Sequence, residues 1–223
     1  MSRQLAFDLP FDLAYLREDF FASAANEQAF AQVDAWRDWP QGKLILVGPS
    51  GSGKTHLAHL WADDAGAQVI SAKRLLAADL EDLAQGAVAV EDVEAIAGDR
   101  AAETALFHLH NMNAGKGLLI TAARAPRDWG LCLPDLLSRM QAAGVARLSA
   151  PDDALLSVVL VKLFADRQIS VPPNLISYLV PRMDRSLYAA AEWVKFLDAR
   201  ALALGRPITR ALAAEVLDLG PLR

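Results

Sequence analysis

The apolar positions of this chain fall into five short, mostly apolar runs over its first two thirds, and into three-to-four spacing over its last third. Lys43-Leu44-Ile45-Leu46-Val47 reads as a buried strand, and a Gly/Ser-rich gap separates it from His56-Leu57-Ala58-His59-Leu60-Trp61-Ala62, which reads as a helix. Ala67 to Ser71 predicts a second strand and Ala72 to Leu83 short helical pieces. Ala87 to Val90 predicts a third strand, ending in Glu91-Asp92. A helix over Ala101 to Asn113, a strand over Gly117 to Ala122, a short helix over Leu133 to Met140 and a last strand around Val145 to Leu148 follow. At Ala150-Pro151-Asp152-Asp153 the strands stop. Asp152 or Asp153 caps a helix running to about Gln168, Val171-Pro172-Pro173 breaks it, and helices follow near 174–182, 186–204 and 209–217. Leu, Val, Ala and Trp193 recur on one side of them, which predicts a small bundle. The pattern is that of an α/β domain over residues 13–150, a helical domain over 151–223 and a tail over 1–12.

The gap after the first run carries the clearest chemistry. Gly48-Pro49-Ser50-Gly51-Ser52-Gly53-Lys54-Thr55 fits the phosphate-loop pattern at every fixed position. Its glycines let the backbone wrap an anion with inward N–H groups. Lys54 is placed for the β/γ-phosphates and the Thr55 hydroxyl for a Mg2+ shell, with His56 just behind, so the loop and His56 are candidate nucleotide ligands. Glu91 and Asp92, at the end of an apolar strand, have the position of a Mg2+-holding and water-orienting acid pair. The usual order puts Asp first. Glu91 has one more methylene, enough to displace a metal by about an ångström. Before the first strand, residues 14–38 read as an irregular aromatic stretch and then a helix from about Ala25, with Phe30, Val33 and Trp36 on one side. Tyr15, Asp19, Phe20 and Asn26 are candidate adenine-pocket residues, the alternative being that the aromatics only seal the edge of the core.

Composition narrows the partners. A net charge of −5 with no long Lys/Arg run leaves no footprint for strong direct DNA binding. The single cysteine, Cys132, cannot form an intramolecular disulfide, the start of the chain has no signal-peptide pattern, and no apolar run approaches a membrane span, so a cytoplasmic protein without a membrane partner is expected. In the tail, Gln4-Leu5-Ala6-Phe7-Asp8-Leu9 resembles the peptide by which bacterial replication proteins dock on the DNA polymerase sliding clamp. There Gln4 would fill a polar pocket, and Leu5, Phe7 and Leu9 an apolar groove.

Taken together, REDFFASAANEQA, GPSGSGKTH, VEDVEAIAGDR, LLITAARAP, LPDLLSRM and MDRSLYAAAE resemble the AAA+ family, and within it the DnaA replication-initiator clade, over residues 14–220. The resemblance implies a phosphate-loop, parallel five-stranded sheet sandwiched by helices, with a small C-terminal α-helical lid. It implies a sensor position at the end of the fourth strand, where the text is Thr121-Ala122-Ala123-Arg124 and Ala123 replaces the usual polar residue. It implies that Arg139, at the end of the LPDLLSR helix, is a finger reaching a nucleotide on a neighbouring subunit, and that Arg185 is a second sensor facing back over the nucleotide; the bland alternatives are a surface ion pair and a satisfied helix end. Neither a helix-turn-helix domain after residue 223 nor a helicase-interaction domain before residue 14 is expected. With the clamp-like tail, that resembles the regulatory inactivators of the clade. They imply ADP (or ATP) and Mg2+ as ligands, the β subunit of DNA polymerase III and DnaA as partners, and a possible homodimer or nucleotide-dependent oligomer. Weak or absent ATPase activity of the chain's own is expected from Glu91 and Ala123. Two other readings stay open: a DnaA-related adaptor without catalytic consequence, and a helicase-loader-type ATPase, against which stands the lack of a basic, aromatic groove.

Overall fold

The computed structural model describes residues 17–219, so Gln4, Leu5, Phe7, Leu9 and Tyr15 lie outside the described residues. Helix α1 covers Glu27–Asp34 and leads through 3-10 turns into β1, Lys43–Val47. Then come α2 (Lys54–Ala65), β2 (Gln68–Ser71), α3 (Leu80–Leu83), β3 (Val88–Glu91), α4 (Arg100–Met112), β4 (Leu118–Ala122), α5 (Pro134–Ala142) and β5 (Gly144–Arg147). Helices α6 (Asp153–Asp166), α7 (Pro173–Leu179), α8 (Leu187–Leu204) and α9 (Arg210–Leu219) complete the chain.

The five strands form one parallel sheet in the order β2-β3-β4-β1-β5. The interior strands β1, β3 and β4, covered on both faces, read as nearly unbroken apolar runs, which is why the sequence pattern finds them. Alternation along β1 sends Leu44 and Leu46 to one face, against Leu57, Ala58 and Trp61 of α2, and Ile45 and Val47 to the other, with Leu106, Leu109, Leu136 and Met140 of α4 and α5. A separate core of Leu156, Leu160, Phe164, Trp193, Leu197, Leu212 and Val216 holds α6 to α9 together.

Local chemistry sets the helix ends. Helix α2 begins at Lys54, inside the loop, because Gly53 turns the chain at φ 96°. Helix α6 stops at Asp166, two residues before Gln168 takes a left-handed φ of 60°. Its start is capped by Asp152, whose carboxylate accepts the Leu155 N–H at 2.7 Å. Asp152→Ala should lower unfolding free energy by about 1 kcal/mol in urea titrations.

Because the sheet is parallel, Gly48, Asp92 and Ala123, each following a strand, gather at one end of it. Lys43 marks the other end. Among the described residues no helix is long and apolar enough to cross a membrane.

Candidate functional site: a phosphate loop and a distant arginine

A cavity of about 760 Å³ opens where the phosphate loop meets the helical region. The loop contributes Ser50, Gly51, Gly53, Lys54, Thr55 and His56; Asp92 enters from the end of β3; Asp19 and Phe21 enter from before α1. The rest comes from far along the chain: Val159, Lys162, Leu163 and Asp166 of α6, and Leu187, Tyr188 and Ala191 of α8.

Space, not only flexibility, demands the glycines. Gly51 and Gly53 stand at φ 69° and 96°. A Cβ on Gly48 would lie 2.8 Å from the Leu148 carbonyl oxygen, and one on Gly51 would collide with Ser186. The Leu187 N–H donates to the Gly51 carbonyl at 2.8 Å, so the first residue of α8 is bonded directly to the loop. Lys54 Nζ donates to the carbonyls of Gly48 and Pro49 at 2.7 and 2.9 Å. Burial holds its pKa below the usual lysine value, against the opposing pull of Asp92, Glu94 and Glu91.

Two buried oxygens here have no hydrogen-bond partner, Ser52 Oγ and Glu91 Oε1. Neither residue lines the cavity; the glycine nest and the partly buried Lys54 ammonium are what fit a magnesium-bound nucleotide. Among the described residues no three His, Cys, Asp or Glu side chains are grouped to hold a metal by themselves. Thr55 and Asp92 are the candidate protein ligands facing the cavity, and phosphate oxygens and water would complete such a shell. Glu91 is not among the lining side chains, because successive residues at a strand end point to opposite sides. Thr121 Oγ1 accepts the Asp92 N–H at 3.0 Å and so holds the acid's backbone, at φ 55°, rather than facing the cavity.

At the sensor position, the Ala123 N–H donates to Glu94 Oε2 at 2.9 Å, and Arg124 Nε lies 3.0 Å from Glu94 Oε1. Sequence reasoning missed Glu94. Its signal was a third acid just after the pair.

The adenine-pocket candidates divide. Asp19 lines the cavity, 3.1 Å from Lys162 Nζ, which also lies 2.7 Å from Asp166. Burial would lower the Lys162 pKa, but its bonds to Asp166 and Asp19 outweigh that and raise it. Phe20 does not line the cavity; it stacks on Phe30 at 4.8 Å and meets His56 edge-on. Its neighbour Phe21 takes the place expected of it. Asn26 is 5% exposed and occupied locally, accepting the Ser23 N–H and donating to the Phe21 carbonyl, so it braces the turn that presents Phe21. Arg185 is turned away too. Its guanidinium rests on the Pro151 carbonyl at 3.3 Å and Asp153 at 2.7 Å, near the start of α6.

Arg139 stands at the opposite end of the sheet. Its guanidinium lies over the Phe107 ring, 5.2 Å from the centroid. It is close enough to Lys43, the first residue of β1, to depress that lysine's pKa after burial has done so first. Five residues of β1 separate this end from the phosphate loop, a span of about 15 Å at roughly 3.3 Å per residue. Arg139 therefore cannot reach Lys54 of its own chain. It lines a second cavity, of about 480 Å³, with Gln41, Phe107, His110, Asp135 and Ser138.

His110 is 2% exposed, and burial first, then Lys43 and Arg139, push its pKa down to about 4, against an opposing hydrogen bond from Asn111. It is neutral in the fold and protonates near 6.5 when unfolded, so unfolding takes up a proton between those values. Stability is full above pH 6.5 and falls toward pH 4, by about 3 kcal/mol in total. Urea midpoints measured across that range should drop, and His110→Gln should flatten the drop.

No protein-family model matches the chain. Its fold is nonetheless that of the AAA+ domain of DnaA: domain III of Thermotoga maritima DnaA superposes with a TM-score of 0.80 at 21% identity, covering 94% of this chain and 98% of that one. AMPPCP-bound DnaA from Aquifex aeolicus follows at TM-score 0.67 and 20% identity, over 82% of this chain and 65% of that one. Thermotoga maritima RuvB (T158V) matches at TM-score 0.65 and 16% identity, over 87% of this chain and 68% of that one.

Proposed function

We propose that this chain is a DnaA-related regulator of the Hda type, a negative regulator of chromosomal replication initiation. It binds ADP, docks on the DNA-loaded sliding clamp and stimulates hydrolysis of DnaA-bound ATP through Arg139. The observation that carries this reading is the separation of Arg139 from its own phosphate loop by the length of the sheet. A guanidinium placed there, with no carboxylate within 4 Å among the described residues, suits a nucleotide on another subunit.

In this chain the loop amides and Lys54 would bind phosphate, Thr55 and Asp92 would hold the cation, and Phe21, Val159 and Leu163 would keep water from the base. A bound magnesium nucleotide supplies negative charge at the loop. The Gly51 carbonyl ties that loop to α8, so the phosphate loop and the helical region are linked directly. Turnover at this site is weak: Glu91 is offset from the cavity, and Ala123 offers only an N–H already taken by Glu94. A partner's ATP brings its own lysine, cation and oriented water, and Arg139 adds charge stabilisation at the transition state.

Gln4, Leu5, Phe7 and Leu9 supply the clamp contact in this reading. Docking raises the local concentration of the regulator near replication machinery, which restricts inactivation to the time after loading. Gln4→Ala with Leu5→Ala should abolish clamp binding in pull-downs and leave the melting temperature unchanged. At low protein concentration it should also lose DnaA-ATP hydrolysis, and excess protein should restore it. Undiminished stimulation at low concentration would remove the clamp from the scheme.

A further inference from the structure

The nucleotide cavity takes its helical wall from α6 and α8, and none of its lining residues belongs to α7 or α9. The edge of the bundle where α7 packs on α9 therefore lies outside the site described above. There the half-buried Tyr178 of α7 carries two exposed arginines over its ring, Arg182 at 4.1 Å from the centroid and Arg210 at 5.0 Å. Among the described residues no carboxylate lies within 4 Å of either guanidinium.

One arginine laid on a tyrosine is an ordinary way to cover the ring. A second on the same ring brings repulsion with it. From those two distances the charges are at most about 9 Å apart, inside the screening length of roughly 10 Å in dilute salt. Arg210 is also the first residue of α9, at the helix end where the peptide dipoles disfavour a cation. Glu215 of the same helix could have answered it, but it is taken by Arg206 at 3.0 Å. An uncharged side chain would cover the ring without these costs, so packing accounts for one arginine here and not for two.

We propose that Tyr178, Arg182 and Arg210 form a docking surface for a short acidic segment of a partner protein, two of whose carboxylates, a few residues apart, pair with the two guanidiniums. The surface does not rest on the function proposed above. Arg182 donates to the Tyr178 carbonyl at 3.0 Å, which holds its guanidinium on the ring and leaves the other N–H groups of the fork for a carboxylate. A fork already held in place loses less freedom on binding. Charge complementarity favours a peptide over a nucleic-acid strand. The chain carries a net charge of −5, and Asp184 and Asp218 are exposed on the segments that carry the two arginines, so a run of phosphates crossing the patch would meet them. Two carboxylates need only the two forks. The Tyr178 ring is already covered by guanidinium, so it is no open platform for a base.

The test uses the full-length protein and a fluorescently labelled hexaglutamate peptide as probe. Saturable binding is expected, with NMR shifts at the Tyr178 ring and at the Nε–H groups of Arg182 and Arg210. Arg182→Gln with Arg210→Gln should weaken binding about tenfold or more, while the melting temperature holds or rises because a repulsion leaves with the charges. Arg206→Gln removes a nearby charge that Glu215 already neutralises, and it should leave the affinity unchanged. No shift at the three residues, undiminished binding in the double variant, or an equal loss in Arg206→Gln overturns the docking surface. A hexathymidylate oligonucleotide should bind more weakly than the peptide. Binding of the oligonucleotide as tightly or more tightly, and dependent on the same two arginines, would assign the patch to nucleic acid and overturn the acidic partner.

Discussion

Replacing Arg139 by alanine should, on the proposed function, leave the fold, nucleotide binding and clamp binding intact and remove acceleration of DnaA-bound ATP hydrolysis, by on the order of 10³-fold. The fold survives because Arg139 is exposed and its one described contact is the cation–π arrangement over Phe107, worth about 1 kcal/mol or less at such a site. Its own nucleotide site survives because the length of β1 lies between. What would disappear, on the proposed function, is a delocalised cation for charge that develops on another subunit's phosphate. Arg139→Lys should recover only a small part of the rate, since an ammonium is a point charge without the planar fork. Nucleotide affinity and clamp binding, measured beside the hydrolysis rate on all three proteins, separate this outcome from general damage.

Glu103→Ala should destabilise the protein by about 3–5 kcal/mol, read as a large fall in the urea midpoint. Glu103 is fully buried in α4, and its carboxylate accepts three backbone N–H groups: Gly98 at 2.8 Å, Cys132 at 2.9 Å and Leu133 at 2.8 Å. Alanine removes the acceptor shared by all three and leaves a hole where the buried carboxylate stood. Gln should fall between, because its NH2 group can accept none of them. Leu133 is the residue immediately before α5, so the same carboxylate anchors the start of the helix that carries Arg139. Stimulation of DnaA should therefore fall by more than the unfolded fraction explains, and amide exchange should quicken first over residues 132–136.

The parts of this molecule written in short-range pattern were legible. Leu44 to Val47 are apolar without a break because helices cover both faces of β1, and of the glycines in the next eight residues Gly48 and Gly51 are required by Leu148 and Ser186 pressing on the loop and Gly53 by its φ of 96°. The helix start at Asp152 or Asp153 was legible, and it is the Asp152 carboxylate that caps it. The cavity wall opposite the loop was not legible. Lys162, Asp166 and Tyr188 lie more than a hundred residues downstream, and only the packing of α6 and α8 against the sheet brings them there. In the irregular stretch before α1 no period tells Phe20 from Phe21, so the residue facing the cavity was misassigned by one. Asn26 looked available for a base, but amide side chains near helix starts are readily captured by local backbone, as this one is. Arg185 was found as text and misjudged in direction, since Asp153 offers it a nearer charge. Lys43 went unnoticed because a lysine before an apolar run reads as a solvated flank. Only its burial against His110 makes it unusual.

The central claim is that this chain acts on ATP held by another protein. The most direct measurement is the rate at which cognate DnaA hydrolyses its bound ATP on DNA-loaded clamp, with ADP-bound wild-type protein present or absent. The account predicts acceleration on the order of 10³-fold when it is present. Equal rates, with the protein shown to be bound to the clamp, would contradict it and leave an adaptor whose arginine has no phosphate to meet.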